Sequence, residues 1–242
     1  MKRFFIDSDL KIGDEIIVDG KEYNYIYNVM RLRKGSDLIL FNGNGYEYEA
    51  VIVEESKKSL TLKINNRYKN EVEPSINLDL YQASIKNKNI KLVVQKSVEL
   101  GINSITLFSS DYTSVDYKNS KKNKLSEIAQ SSVEQSGRNK NIEINQRDNI
   151  EQVIDDLKKY DKVVFCYEKS DLLSKSSQLK LENCKNIAVL VGPEGGFSSS
   201  EYEKLIQSLD NISVISLGKR ILRAETAAIT SIALVMNKLG EI

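Results

Sequence analysis

Two short apolar runs in the C-terminal third of the chain, residues 187–191 and 212–217, each stop at a glycine-containing segment. A helix-like pattern resumes soon after each, so the sequence predicts two buried strands that are followed by loops. Glycine occupies three of the five positions from 192 to 196, and Gly218 lies in the second loop. Open α/β sheets bind ligands at the carboxyl ends of their strands, and residues without a Cβ allow a close approach. We therefore expect a binding site at these two loops.

Two other interpretations of the glycine-rich run are a plain surface turn and a phosphate cradle. The lysine-serine or lysine-threonine pair that ends a P-loop is missing, and so is the glycine spacing of a dinucleotide fingerprint. A nucleoside triphosphate is therefore not the expected ligand.

The segment 66–75 is polar, contains Pro74 and is the best candidate for a linker. Strand-like and helix-like patterns alternate after it. The predicted strands are 76–83, 102–108, 163–167, 187–191 and 212–217, and the predicted helices are 89–100, 121–135, 150–159, 200–209 and 224–239. Such alternation is typical of a mostly parallel sheet with helices on both faces, so residues 73–242 are predicted to form an α/β domain.

Residues 1–70 are instead rich in β-branched and aromatic residues. The predicted strands are 12–18, 37–41, 46–53 and 60–64. Between two of them, the sequence Asn42-Gly43-Asn44-Gly45 is a strong hairpin signal, since these residues accept positive φ. The pattern predicts a small β-barrel ahead of the α/β domain.

The chain of 242 residues contains no histidine, which removes the usual general base and the commonest metal ligand. A zinc site and a serine-histidine triad are therefore excluded, and no metal is expected. Cys166 and Cys184 lie in or beside apolar runs, where a reduced thiol is ordinary. The charges nearly balance, with 35 basic and 34 acidic residues, so net charge alone does not indicate a nucleic-acid partner.

Two C-terminal sequence pieces are more specific than composition. They are Gly192-Pro193-Glu194-Gly195-Gly196-Phe197 and Leu217-Gly218-x-Arg220-Ile221-Leu222-Arg223-x-Glu225-Thr226-Ala227. Together they resemble the paired signature of the RsmE family, in the SPOUT superfamily of methyltransferases. Supporting similarity lies upstream at 28–31, 95–101 and 134–139, so the resemblance spans nearly the whole chain.

The resemblance implies a PUA-like β-barrel at residues 1–70 and a SPOUT α/β domain with a deep trefoil knot at 73–242. It also implies that S-adenosylmethionine is the cofactor and that the enzyme methylates N3 of a uridine in 16S ribosomal RNA, either naked or in the assembled small subunit. Members of the family form homodimers, with the active site near the subunit interface. The apolar side of the C-terminal helix, which includes Leu234 and Met236, is expected to serve either the knot core or that interface.

The motifs supply the candidate site residues. The predicted cofactor-binding residues are Tyr167, Val191, Gly192, Pro193, Glu194, Gly195, Gly196, Leu217, Gly218, Ile221, Leu222, Arg223 and Thr226. Arg223 is the predicted catalytic residue that stabilises negative charge on the uracil oxygens, with Glu225 orienting it. An alternative for Glu194 and Glu225 is a structural role beside a helix start, where the helix dipole favours a carboxylate.

The predicted RNA-binding residues are Arg3, Arg31, Arg33, Gln135 and Arg138. Lysine-rich stretches at 84–96 and 118–140 could add contacts to a phosphate backbone. Ordinary solvated surface charge is the alternative for both the arginines and the lysines. Tyr25 stands where the family usually has a histidine, and a tyrosine cannot carry a positive charge to a phosphate.

Two other functions stay open at the level of sequence: a SPOUT enzyme that acts on transfer RNA, and an RNA-binding protein without catalysis. No apolar run approaches the ~20 residues of a membrane-spanning helix, and the N-terminus turns polar too soon for a signal peptide. We expect a cytoplasmic protein without a membrane partner.

Overall fold

The structure is a computed structural model that describes residues 1–114, 122–167, 174–175 and 179–242. It divides into two compact units. The first consists of Met1–Glu73 and Val133–Asn141, and the second of Pro74–Ser132 and Ile142–Ile242. The first unit thus includes the segment 133–141, which lies far beyond the predicted linker. No helix in the described ranges is long and apolar enough to cross a membrane.

Five strands form the sheet of the first unit: β1 (Lys2–Phe5), β2 (Glu15–Asp19), β3 (Asp37–Phe41), β4 (Tyr46–Glu55) and β5 (Ser59–Lys69). Their spatial order is β1-β3-β4-β5-β2, with β1 parallel to β3 and the other pairs antiparallel. Leu38, Leu40 and Leu62 are fully buried in the core that this sheet covers. The sheet forms a half-barrel, as a PUA-like unit requires.

The predicted hairpin turn joins β3 to β4. Gly43 and Gly45 have φ of 85° and 87°, the left-handed region that glycine enters at little cost. The Asn44 side chain accepts a hydrogen bond from the backbone N–H of Tyr46 and donates one to the Tyr48 hydroxyl. The turn therefore fixes the pairing of the two strands.

Two elements of the first unit were not predicted. The four-residue β1 is short, and it forms because it pairs with β3. The segment after β2 folds as α1 (Gly20–Tyr23) and continues as a π-helix, Asn24–Val29. Its aromatic and asparagine residues have modest helix propensity, but Ile26 is fully buried, so tertiary packing decides the conformation.

The second unit is an α/β domain. Its strands are β6 (Asn77–Ala83), β7 (Ser104–Phe108), β8 (Glu143–Arg147), β9 (Lys162–Cys166), β10 (Ser174–Lys175), β11 (Asn186–Val191) and β12 (Ile212–Ser216). The helices are α2 (Asn87–Glu99), α3 (Lys122–Ser136), which runs on into the first unit, α4 (Ile150–Leu157), α5 (Ser199–Ser208) and α6 (Ala224–Lys238). Every described strand pair in the sheet is parallel, and the order is β10-β12-β9-β11-β6-β7-β8.

Helices bury this sheet. Ala188 and Leu190 of β11 share an apolar cluster with Val153 of α4 and Leu205 of α5, whereas α6 packs against β11, β6 and α2. The predicted α/β class is therefore confirmed. The edge strand β8 was not predicted, because its sequence Glu-Ile-Asn-Gln-Arg is polar and only Ile144 is buried.

Two predicted RNA contacts, Arg3 and Arg138, are instead held inside the first unit by ion pairs. Arg3 pairs with the buried carboxylate of Glu47 and donates to the backbone carbonyl of Arg138 over 2.9 Å. The Arg138 side chain is 4% exposed, and its Nη2 lies 2.6 Å from Oε2 of Glu73. Both charges thus have partners within the protein, and contact of these two arginines with RNA stays a prediction.

Replacing Glu73 by alanine should destabilise the protein by about 3 kcal/mol, since it removes the carboxylate that pairs with the buried Arg138 guanidinium. Chemical denaturation followed by circular dichroism measures this change. Glu71→Ala is the control, because it breaks an exposed pair with Lys69 and should have little effect. Equal effects of the two substitutions would contradict a structural role for the buried pair.

Candidate active site

Three strands that are far apart in sequence end side by side at one edge of the second sheet. Val191, the last residue of β11, pairs with Cys166, the last residue of β9, and Cys166 also pairs with Ile215 of β12. The end of β9 and the loops that follow β11 and β12 meet there and line a pocket. The pocket lies where the glycine loops led us to expect a binding site.

Residues from all three strand ends and loops line the pocket: Cys166, Tyr167, Val191, Gly192, Pro193, Glu194, Gly195, Gly196, Phe197, Ile215, Ser216, Leu217, Gly218, Arg220, Ile221, Leu222, Ala224 and Ala227. Eleven of the thirteen residues predicted to bind a cofactor are among them. Arg223 and Thr226 are not; both are exposed, Arg223 at the N-cap of α6 and Thr226 in its first turn. Ile221, expected as an apolar wall, lies at the rim and is 96% exposed.

The glycines of the first loop are required by packing as well as by ligand access. A Cβ on Gly192 would lie 2.9 Å from the ring of Phe197, which is itself buried. A Cβ on Gly195 would lie 2.9 Å from Cβ of Tyr112, in the loop after β7. Gly218 has open space around it but a φ of 110°, which side chains rarely adopt. Each loop thus keeps its backbone bare for a structural reason.

Glu201 joins the start of α5, directly after the first glycine loop, to the loop after β7, and sequence reasoning missed it. Ser198 caps α5, and its side chain and that of Glu201 form a reciprocal capping box. The Glu201 carboxylate is 2% exposed, and it also accepts hydrogen bonds from Ser110 Oγ and the Asp111 N–H, each over 3.1 Å. The spacing Ser198-x-x-Glu201 was a visible signal of the cap, but nothing in the sequence indicated the loop that it also holds.

Gln82 and Glu194 connect the first glycine loop, residues 192–197, to β6 and to the start of α2. The buried Gln82 amide donates to the carbonyl oxygens of Ala83 and Gly192, over 2.9 and 3.1 Å. The Glu194 carboxylate accepts from the Lys86 N–H, at the N-cap of α2. Glu194 therefore contacts the start of a helix, although it is not the helix that follows it in sequence.

Glu225 lies in the first turn of α6, where its charge complements the helix dipole. Its side chain is buried, and Oε2 has no hydrogen-bond partner among the described residues. Burying a carboxylate oxygen without a partner is unfavourable, so this atom is poised to accept a hydrogen bond. Glu225 is not among the residues that line the pocket.

The geometry agrees with what comparison with known proteins finds. A family model described as an RNA methyltransferase domain matches residues 72–236, and one described as an RNA methyltransferase PUA domain matches residues 18–65. The ribosomal RNA small subunit methyltransferase E of Buchnera aphidicola (subsp. Schizaphis graminum) is 33% identical, over 99% of this chain and 97% of its own length. The enzyme of the same name from Rickettsia conorii is 32% identical, over 96% and 93%. The chain belongs to this family.

Solved structures show the same fold as this member of the methyltransferase E family. A methyltransferase from Legionella pneumophila, in complex with S-adenosylmethionine, matches with a TM-score of 0.90 and 26% identity over 98% of this chain and 97% of its own. The methyltransferase E of Neisseria gonorrhoeae, bound to S-adenosylmethionine, matches with 0.88 and 26% identity over 99% and 98%. The predicted family and fold class are confirmed, and the trefoil knot stays a prediction.

The other predicted RNA contacts of this methyltransferase E homologue lie on the surface of the first unit. Arg31 is exposed and has a φ of 56°, and Gln135 is exposed near the end of α3. The guanidinium of Arg33 lies 3.8 Å from the ring centroid of Tyr27, and that ring stacks on Tyr23. Their contact with RNA stays a prediction.

Tyr25 does not occupy an open position. It packs partly buried against the core of the first unit, with its ring edge-on to Phe4 at 5.9 Å between centroids. Burial, and secondarily the charge of Glu134, raises the pKa of its hydroxyl. Tyr25 therefore stays neutral at physiological pH, and its ring contributes to the packing of the first unit. The lysine-rich stretch at 118–140 lies partly outside the described residues.

The thiol of Cys166 should be chemically inert although it lies beside the pocket. Burial raises its pKa to about 12, against the opposing effect of a hydrogen bond with Ser231. Only the thiolate reacts with alkylating agents, so at pH 8 the native protein should be modified there by iodoacetamide on the order of a thousandfold more slowly than a free cysteine. Mass spectrometry of peptides measures the rate, and urea-unfolded protein is the control. Equal rates in the native and unfolded protein would contradict the shift.

Proposed function

We propose that this protein transfers the methyl group of S-adenosylmethionine to N3 of a specific uridine in 16S ribosomal RNA. The observation that carries the proposal is the pocket lined by the end of β9 and the loops after β11 and β12, in a chain of the methyltransferase E family. N3 as the acceptor atom rests on the RsmE resemblance of the two C-terminal motifs. The acceptor RNA is either naked or part of the small subunit.

The residues of the pocket fit S-adenosylmethionine. Gly192, Gly195 and Gly196 line the pocket with bare backbone, which suits polar groups bound by main-chain atoms. Tyr167, Pro193 and Leu222 supply flat or apolar walls of the kind that an adenine ring needs. When bound there, the cofactor supplies an electrophilic methyl group. The chain itself must hold the two reactants in line, which removes much of the entropic barrier.

N3 of uracil carries a proton at neutral pH, so the protein must help to remove it or stabilise the anion that forms. The chain has no histidine, and a carboxylate or lysine base would need a costly buried environment. We infer that Arg223 stabilises the negative charge on the uracil oxygens, while solvent accepts the proton. Its exposed position at the N-cap of α6, beside the pocket rather than in its wall, suits a contact with RNA that enters from solvent.

Glu225 is proposed to orient Arg223. It lies two residues along the chain in the first turn of α6, and its buried Oε2 lacks a hydrogen-bond partner in the described part of the chain. A guanidinium donor would satisfy this oxygen.

We also propose a homodimer, in which α6 contributes to the subunit interface. Met236 is buried within the second unit, whereas Leu234 is 37% exposed on the same helix. The apolar residues of α6 are thus divided between the core and an open face. That division supports both roles considered for this helix, namely packing in the core of its own subunit and contact with a second subunit.

The direct test uses labelled S-adenosylmethionine and small ribosomal subunits from cells that lack the protein, with naked 16S RNA and transfer RNA in parallel. We expect label in 16S RNA, and nucleoside analysis should identify 3-methyluridine. Label in transfer RNA alone would favour the other SPOUT activity, and absence of label from every RNA would leave a binding protein without catalysis.

Gly195→Leu should abolish binding of S-adenosylmethionine by calorimetry, because the new side chain would clash with Tyr112 and displace the glycine loop that lines the pocket. The fold should persist, since the position lies in an exposed loop. Ser200→Leu is the matched control, as it makes a similar change at an exposed position of α5 outside the pocket lining. Undiminished binding by Gly195→Leu would show that the site is misplaced.

Arg223→Lys keeps the positive charge but loses the planar fork, so it should raise the barrier to methyl transfer by about 1 to 3 kcal/mol, the value of a charged hydrogen bond. Affinity for the cofactor should change much less. Single-turnover methylation at saturating cofactor, measured across pH, provides the test, with Lys219→Ala as a control for an exposed cation of the same loop. An unchanged rate in Arg223→Lys, together with a collapse in Glu225→Gln, would move the catalytic role to Glu225.

A further inference from the structure

Tyr112 is the most exposed aromatic side chain in the described ranges, with 56% of its surface open to solvent. It is also next to the pocket, because a Cβ on Gly195 would approach Cβ and Cγ of Tyr112 to 2.9 and 3.6 Å. Tyr112 is not itself among the residues that line the pocket. The ring therefore lies outside the cofactor loops and faces the solvent from which the second reactant must come.

The loop that carries this exposed ring is held firmly. It closes on itself through a hydrogen bond from the Thr113 N–H to the Ser110 carbonyl and one from the Ser110 N–H to Thr113 Oγ1, over 2.9 and 2.8 Å. It is tied to α5 by the bonds from Ser110 and Asp111 to Glu201, and by one from Ser198 Oγ to Asp111 Oδ2 over 2.5 Å. Side chains of the Tyr112 loop and of the start of α5 both take part in these bonds. The position of Tyr112 is therefore fixed relative to the glycine loop that precedes α5.

An exposed aromatic ring in a fixed position is suited to stack on an unpaired nucleobase. Enzymes that modify a base at its pairing edge must take it out of the stack, and an unstacked base is commonly received on an aromatic side chain. Stacking of this kind tolerates any base, because every base presents a π-face. Gly195 lines the pocket proposed to hold the methyl donor, and Tyr112 lies next to the same glycine.

We propose that Tyr112 stacks on the nucleobase that receives the methyl group, and that Glu201 is the positioning residue that holds the Tyr112 loop. The inference rests on the proposed function in one respect, namely that the acceptor is a base of RNA. It adds the surface that receives this base and separates it from the cofactor pocket.

The test measures kcat/KM for small ribosomal subunits that lack the modification, with wild type and the variants Tyr112→Phe, Tyr112→Trp and Tyr112→Leu. Phe and Trp keep a π-face and should stay within about twofold of wild type, whereas Leu should lose about tenfold or more. Affinity for S-adenosylmethionine, measured by calorimetry without RNA, should stay within about twofold in all of them, since the ring does not line the pocket. Leu92→Ala, which truncates another exposed apolar side chain of the same unit, is the control.

Three results would overturn the proposal: full kcat/KM in Tyr112→Leu, a loss in Tyr112→Phe as large as in Tyr112→Leu, or a parallel loss of cofactor affinity. An inactive wild-type protein is a different outcome, because it refutes the proposed function itself and this inference with it.

The positioning role of Glu201 has its own measurement. Glu201→Gln removes one carboxylate acceptor from the bonds to Ser110, Asp111 and Ser198, and it should lower kcat/KM by about tenfold. Because both changes act through the same ring, adding Glu201→Gln to Tyr112→Leu should cause little further loss. Losses that multiply in the double variant would show that Glu201 does not act through Tyr112.

Discussion

Parallel pairing of β9 with both β11 and β12 is the constraint on which the candidate site depends. Parallel strands place their carboxyl ends at one edge, so Cys166, Val191 and Ile215 end side by side although long segments separate them in the chain. The loops that follow inherit this proximity. Their glycines keep the backbone bare, and Gln82 on the neighbouring β6 holds the carbonyl of Gly192. The pocket is thus a property of sheet order before it is a property of any single side chain.

The strands and loops of this pocket could be predicted because their signals are local. An apolar run that ends at glycine is visible within ten residues or so, and it predicted where the two glycine loops lie. Most lining residues followed from the resemblance of these two loops to the RsmE motifs. Glu201 and Gln82 could not be predicted in the same way, since each acts on a segment remote in sequence. The edge strand β8 and the helix at Gly20–Tyr23 were missed for a related reason: packing and pairing outweigh sequences whose own preferences are weak or polar.

The arginines show the same limit of sequence-based prediction, because their partners also lie far away in the chain. Arg3, Arg33 and Arg138 look equivalent in a sequence, and all three suggested RNA. The structure separates them, because the partners of Arg3 and Arg138 are carboxylates at Glu47 and Glu73, whereas Arg33 stays on the surface over Tyr27. An arginine can be assigned to phosphate binding only when the acids that compete for it are known, and those acids lie far along the chain.

The first unit is not a detachable N-terminal module. Its chain leaves at Glu73 and returns for Val133–Asn141, and the pair between Glu73 and Arg138 closes that return. Recombination at the polar linker would therefore separate Glu73 from Arg138, so that the ion pair between them would be lost. Proteolysis at the linker would cut only one of the three places where the chain passes between the two units. The two units are consequently expected to be gained, lost and exchanged in evolution as a single heritable block, rather than shuffled like independent domains.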